Sequence, residues 1–137
     1  MVRRRKRRYK GCLPPYSACR MIAVVDDEES VRKAVVRLLQ ASGYAARGFA
    51  SGREFLQSWL TDEPDCVMLD LQMPDLSGTD VQRALRSAGA RFPVIIITAN
   101  DRPGAREECM REGAVAYLCK PVENLVLLNA LKLAIDA

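Results

Sequence analysis

From Met21 onward, short β-rich apolar runs alternate with stretches whose apolar residues recur at three- and four-residue spacing. Each pair takes about 20 to 30 residues, the span of one strand and its return helix. The pattern predicts five βα units. Its strands are Ile22 to Val25, Tyr44 to Phe49, Cys66 to Leu69, Val94 to Thr98 and Val115 to Cys119, the second diluted by Gly48 and two alanines. The first helix follows Asp27, Glu28 and Glu29, acids suited to a helix N-terminus. It is expected to bury Val31, Ala34, Val35, Leu38 and Leu39 until Gly43 stops it. Ser51 is the expected N-cap of the second helix, with Glu54 completing a capping box and Phe55, Leu56 and Trp59 facing inward. The third helix is predicted near Thr79 to Ser87, the fourth near Pro103 to Glu112 with the proline in its first turn, and the fifth from about Val122 to the end.

Alternation of this kind implies an α/β fold: a doubly wound parallel sheet with helices on both faces, since crossovers between parallel strands are right-handed. Ligands of such sheets bind beyond the carboxyl ends of the strands, where the strand order reverses. Chemistry-bearing residues stand at those ends. Strand one runs into Asp26 and Asp27, strand three into Asp70, strand four into Thr98, and strand five into Lys120 and Pro121.

Composition narrows the chemistry. At 137 residues, 49% apolar and 28% charged, the chain has the make-up of one globular domain. Its densest apolar runs, Val94 to Ile97 and Leu125 to Leu128, are far too short to cross a bilayer. There is no histidine, which excludes zinc sites built on His, His-based triads and haem held by a proximal His. The five cysteines, at 12, 19, 66, 109 and 119, are odd in number and contain no C-x-x-C pair. That fits reduced thiols in a cytoplasmic protein, with Cys66 and Cys119 expected as small core residues.

The net charge of +4 hides two regions of opposite sign. Residues 1 to 20 carry eight basic side chains and no acid, whereas residues 21 to 137 carry thirteen basic and seventeen acidic. Residues 1 to 20 therefore read as a basic, disordered extension, and Met21, at the edge of the first strand, as the functional start. The run Arg3 to Arg8 could bind nucleic acid only weakly, for want of interleaved aromatics or a helix-turn-helix.

Three carboxylates on one rim repel one another, so a cation is expected there. Oxygen ligands without His or thiolate suit a hard ion, and few carboxylates with retained waters favour Mg²⁺ over Ca²⁺. Beside such an ion a carboxylate can act as nucleophile on phosphorus, with Lys120 neutralising charge and the Thr98 hydroxyl donating to a phosphoryl oxygen.

The segments Val24 to Glu28, Val67 to Gly78, Ile97 to Ala99 and Tyr117 to Pro121 together resemble the receiver domain of two-component response regulators, over residues 21 to 137. Glu29 to Arg53 and Ala99 to Pro121 are most similar to receivers of the FixJ type. The resemblance implies a flavodoxin-like, CheY-like sheet of five strands in the order 2-1-3-4-5. It implies Asp70 as phosphoacceptor, Asp27, Asp70 and the Gln72 carbonyl as Mg²⁺ ligands, and Asp26 as a ligand acting directly or through water. It further implies Lys120 as the phosphate-binding lysine followed by a cis bond to Pro121, with Gln72 and Asn100 tuning phosphate lifetime.

The implied partner is a sensor histidine kinase or phosphotransfer protein. Phosphorylation would draw Thr98 toward Asp70, move Tyr117 inward, and remodel the face made by helix four, strand five and helix five. Leu125 and Leu128 interrupt the polar arc of the last helix, which marks that face for a homodimer or an output partner. FixJ-type receivers usually precede a helix-turn-helix output domain, so the sequence reads as a stand-alone receiver or one separated from its output part. A receiver-like interaction module that never takes phosphate is the alternative.

Overall fold

The structure is a computed structural model and describes residues 20–136. The basic run, Cys12 and Cys19 lie outside the described residues. Five parallel strands, β1 (Met21–Val25), β2 (Ala45–Phe49), β3 (Cys66–Asp70), β4 (Val94–Thr98) and β5 (Ala116–Cys119), form one sheet in the order β2-β1-β3-β4-β5. Between and after them run α1 (Glu29–Ala41), α2 (Gly52–Ser58), α3 (Gly78–Ser87), α4 (Ala105–Arg111) and α5 (Asn124–Asp136).

Side chains alternate across a strand with period two, so a sheet covered on both sides has two cores. On one face Ile22, Val24, Met68, Ile95 and Ile97 pack against Leu39 of α1 and Leu127 and Leu131 of α5. On the other, Ala23, Val25, Val67, Leu69 and Ile96 meet Phe55 of α2, Val81 and Leu85 of α3, and Cys109 of α4. An aromatic cluster tightens that second face. Phe49 and Phe55 meet edge to face at 5.3 Å between ring centroids, and Trp59 and Phe92 do so at 5.5 Å.

Side-chain caps start α2 and α3. Ser51 accepts the Glu54 amide, as the sequence predicts, but the Glu54 carboxylate reaches back to the amide of Ala50 rather than that of Ser51. Ser77 and Asp80 form a full capping box on α3. The fourth helix starts two residues later than predicted, because Gly104 sits at φ +84°, a left-handed conformation that cannot continue a helix backward to Pro103.

Three burial expectations need correction. Of the predicted α1 stripe only Leu39 is fully buried; Val31, Val35 and Leu38 are half-buried and Ala34 is exposed. The reason is a largely apolar cleft of about 580 Å³ between α1 and α5, lined by those four residues on one side and by Val122 and Leu127 on the other. Cys66 is buried as expected, but Cys119 is exposed, since it ends a strand at the edge of the sheet. Leu128, read as part of an exposed arc, packs instead against the α1/α5 core, while Leu125 is 72% and Leu133 73% exposed.

Candidate functional site

The order reversal of the sheet falls between β1 and β3, and the residues just past these strands meet there. Asp26, Asp27 and Asp70 each place a carboxylate oxygen within 4.8 Å of the others. Asp26 and Asp70 are buried, while Asp27 is exposed. Across the rim, the loop after β5 brings Lys120 Nζ to 2.9 Å from Asp26 Oδ2 and 3.8 Å from Asp70 Oδ1. The Lys120–Pro121 peptide is cis, as the resemblance implied.

Backbone contacts hold this geometry. The Asp26 amide donates to the Phe49 carbonyl of β2, and its own carboxylate accepts the Glu28 amide at 2.9 Å. Its carbonyl accepts from Arg32 Nη1 of α1, also at 2.9 Å. Past β3 the Gln72 amide approaches Asp70 Oδ1 at 3.4 Å, placing the Gln72 backbone beside the acids while its side chain is exposed. Gly78 opens α3 against this loop. Its amide donates to the Leu71 carbonyl at 2.8 Å, and a Cβ there would lie 2.9 Å from the Asp70 carbonyl oxygen.

The electrostatics follow from burial. Burial and the charges of Asp26 and Asp27 push the Asp70 carboxyl up to about 6, despite the opposing pull of Lys120 and the Gln72 amide. Lys120 is partly desolvated, but its hydrogen bond to Asp26 and the charges of Asp70 and Asp26 outweigh that and hold it above the ordinary lysine range. A buried carboxylate that ionises reluctantly beside two others, with one ammonium to offset them, forms a pocket with an uncompensated demand for positive charge. Its donors are all oxygens, the chemistry of a hard divalent cation.

Thr98, at the end of β4, is fully buried. Its hydroxyl accepts the Asn100 amide at 3.1 Å and lies 3.4 Å from the Asn100 carbonyl, so it is engaged within its own loop. Tyr117 on β5 is buried in the core of the α2-α3-α4 face. Its hydroxyl donates to Asp101 Oδ1 at 2.9 Å, and the Arg106 guanidinium lies 5.9 Å from the ring centroid. Burial, then the Asp101 contact, push its phenol up to about 12. The sequence reading missed Asp101 and Arg32. Asp101 was signalled by its place one residue past Asn100; nothing in the order of residues shows that Arg32 reaches Asp26.

A 2-1-3-4-5 parallel sheet with acids at its reversal point and a lysine-cis-proline step opposite them defines the CheY-like class of flavodoxin-like domains. The family model for the response regulator receiver domain matches residues 22–132, and the chain belongs to that family. Among curated relatives it is 42% identical over 100 residues to the response regulator MprA of Mycolicibacterium vanbaalenii, a match covering 73% of this chain and 43% of that protein. It is 34% identical over 116 residues to nodulation protein W of Bradyrhizobium diazoefficiens, covering 85% and 51% respectively. The chain thus spans about half the length of these relatives or less. The crystal structure of FixJ-N superposes with a TM-score of 0.81 at 34% identity, over 88% of this chain and 96% of that one. A receiver protein from Burkholderia phymatum does so with a TM-score of 0.77 at 42% identity, over 85% and 95%.

Proposed function

We propose that this receiver accepts a phosphoryl group on Asp70 from a histidine kinase or phosphotransfer protein, in a Mg²⁺-dependent step that it catalyses itself. The observation that carries this reading is the convergence of Asp26, Asp27 and Asp70 within 4.8 Å of one another, with Lys120 reaching two of them. Asp27, Asp70 and the Gln72 carbonyl would hold the ion, with Asp26 bound directly or through water. When bound, Mg²⁺ supplies charge neutralisation for the acids and for the transferring phosphoryl group.

The residues of the chain do the rest. An Asp70 carboxylate oxygen attacks phosphorus as the bond to the donor's imidazole nitrogen breaks, leaving an aspartyl phosphate and a free histidine. Lys120, held at 2.9 Å from Asp26, is 3.8 Å from Asp70 and has a short way to move onto a phosphoryl oxygen. The Thr98 hydroxyl leaves Asn100 to donate to the new phosphoryl group, which disturbs the loop carrying Asp101 and so the partner of Tyr117. Slow hydrolysis resets the switch, with Gln72 and Asn100 beside the attacking water.

The readout is the α4-β5-α5 face, where Met110, Val115, Leu125, Val126 and Leu133 are exposed. Exposed apolar residues grouped on one face suit a partner, here a second copy or an output element. The setting is cytoplasmic, and contact with nucleic acid is indirect. Intact mass after incubation with acetyl phosphate and Mg²⁺ tests the first claim: the parent gains one phosphoryl group and Asp70→Asn gains none. Sedimentation of the same samples tests the second, with association in the phosphorylated parent that Leu125→Lys with Leu133→Lys removes.

A further inference from the structure

Asp26 is fixed at every polar atom. Its amide is held by Phe49 of β2, one carboxylate oxygen by the Glu28 amide, and the other by Lys120. The fourth contact comes from an unexpected quarter. Arg32, in the second turn of α1, donates from Nη1 to the Asp26 carbonyl at 2.9 Å.

To reach that carbonyl the Arg32 stem passes over Gly48 of β2. Gly48 pairs with Val24 in the parallel ladder, and Val24 belongs to the core on the α1 side, so a side chain at 48 would project toward α1. A Cβ there would lie 3.0 Å from Arg32 Cγ and 3.1 Å from Cδ. A branched side chain leaves no room for the stem. Glycine weakens the strand that contains it, and here that weakness gives the arginine its path.

We propose that Arg32 is a positioning residue for the metal site: by crossing Gly48 and holding the Asp26 carbonyl, it fixes the Asp26 and Asp27 carboxylates in the arrangement that takes up Mg²⁺. This rests on the reading of the rim given above. Two consequences of the side chain oppose each other. As a nearby cation, the guanidinium repels a divalent ion, so removing it would tighten binding. As a hydrogen-bond donor to the loop, it preorganises ligands, so removing it weakens binding. Arg32 donates to the Asp26 backbone carbonyl, so its direct effect is on the loop that carries the two acids. The hydrogen bond is what depends on Gly48.

The test is calorimetric Mg²⁺ titration of the full chain as parent, Arg32→Met, Gly48→Val, the milder Gly48→Ala and the double variant R32M/G48V. Thermal unfolding without metal reports that each is folded. Arg32→Met and Gly48→Val are each expected to weaken Mg²⁺ binding roughly tenfold, the low end of what supporting contacts to ligands contribute. The double variant is expected to be no weaker than either single one, because both remove the same contact. Exchange of the Glu28 amide without metal should quicken in both. At saturating Mg²⁺ the rate of labelling by acetyl phosphate should return to the parental value. Unchanged or tighter Mg²⁺ binding in Arg32→Met, or additive losses in the double variant, would overturn the proposal. If the parent itself neither bound Mg²⁺ nor took up phosphate, the reading of the rim would fail instead.

Discussion

Lys120 is hydrogen-bonded to Asp26 and only ion-paired with Asp70. The ammonium sits at 2.9 Å from the former and 3.8 Å from the latter, joining the loops that follow β1 and β5, 94 residues apart in sequence. Both partners are largely buried, so each depends on the other for solvation. Lys120→Met should therefore destabilise the metal-free protein by about 2 kcal/mol, a cost of leaving buried carboxylates without their counter-charge. Urea unfolding measures it. Labelling by acetyl phosphate should fall roughly tenfold or more, as expected for loss of a preorganised cation.

The raised Asp70 carboxyl sets a pH dependence with a definite sign. Its folded value of about 6 lies above the ordinary 3.8, so between those limits the folded protein binds more protons than the unfolded chain. Stability contributed by the protonated carboxyl is present below pH 3.8 and is lost as pH rises through 6. Asp70→Asn should remove that slope and stabilise the metal-free protein at pH 8 by about 2 kcal/mol. Urea midpoints of parent and variant from pH 4 to 8 without metal decide it; parallel curves would contradict the assignment. In labelling experiments the parent should lose phosphoryl uptake as pH falls below 6 without Mg²⁺ in excess.

Asp101 holds the Tyr117 hydroxyl at 2.9 Å and helps to keep its phenol near 12. Asp101→Ala should lower that ionisation toward the ordinary tyrosine range. The readout is the ultraviolet phenolate titration, with Tyr117→Phe identifying the band. The same change frees the ring, so the association expected on phosphorylation should change in amplitude.

Gly78 lies against the loop that follows the phosphoacceptor. A methyl group there would meet Leu71 Cα at 2.8 Å and the Asp70 carbonyl oxygen at 2.9 Å, both backbone atoms that cannot turn aside. Gly78→Ala should cost about 1 to 3 kcal/mol through overpacking. Urea unfolding measures this, and slower labelling of Asp70 would show that the strain reaches its carboxylate.

The rim was legible because each of its members stands at a strand end, and in a parallel sheet all strand ends share one edge. Asp26, Asp27, Asp70 and Lys120 needed only the order of elements to be brought together. Thr98 likewise closes β4. What escaped were relations between neighbours that no single segment encodes. The α1 stripe has the spacing of a covered face, yet how much is covered depends on the distance to α5. Cys119 looks apolar in its run, but its exposure follows from β5 being an edge. The late start of α4 turns on the φ of Gly104, and the reach of Arg32 turns on an absent side chain in a different strand.

The opening between α1 and α5 has a mechanical consequence. Asp26 and Asp27 lie just ahead of α1 and Lys120 just ahead of α5, and both helices line the cleft below them. The Lys120 to Asp26 bond ties the lead-in loops of the two helices across the top of that cleft, while Leu39 of α1 and Leu127 and Leu131 of α5 anchor the helices to the sheet. Chemistry that makes the lysine let go would release that tie between the two loops and leave the packed layer beneath them intact.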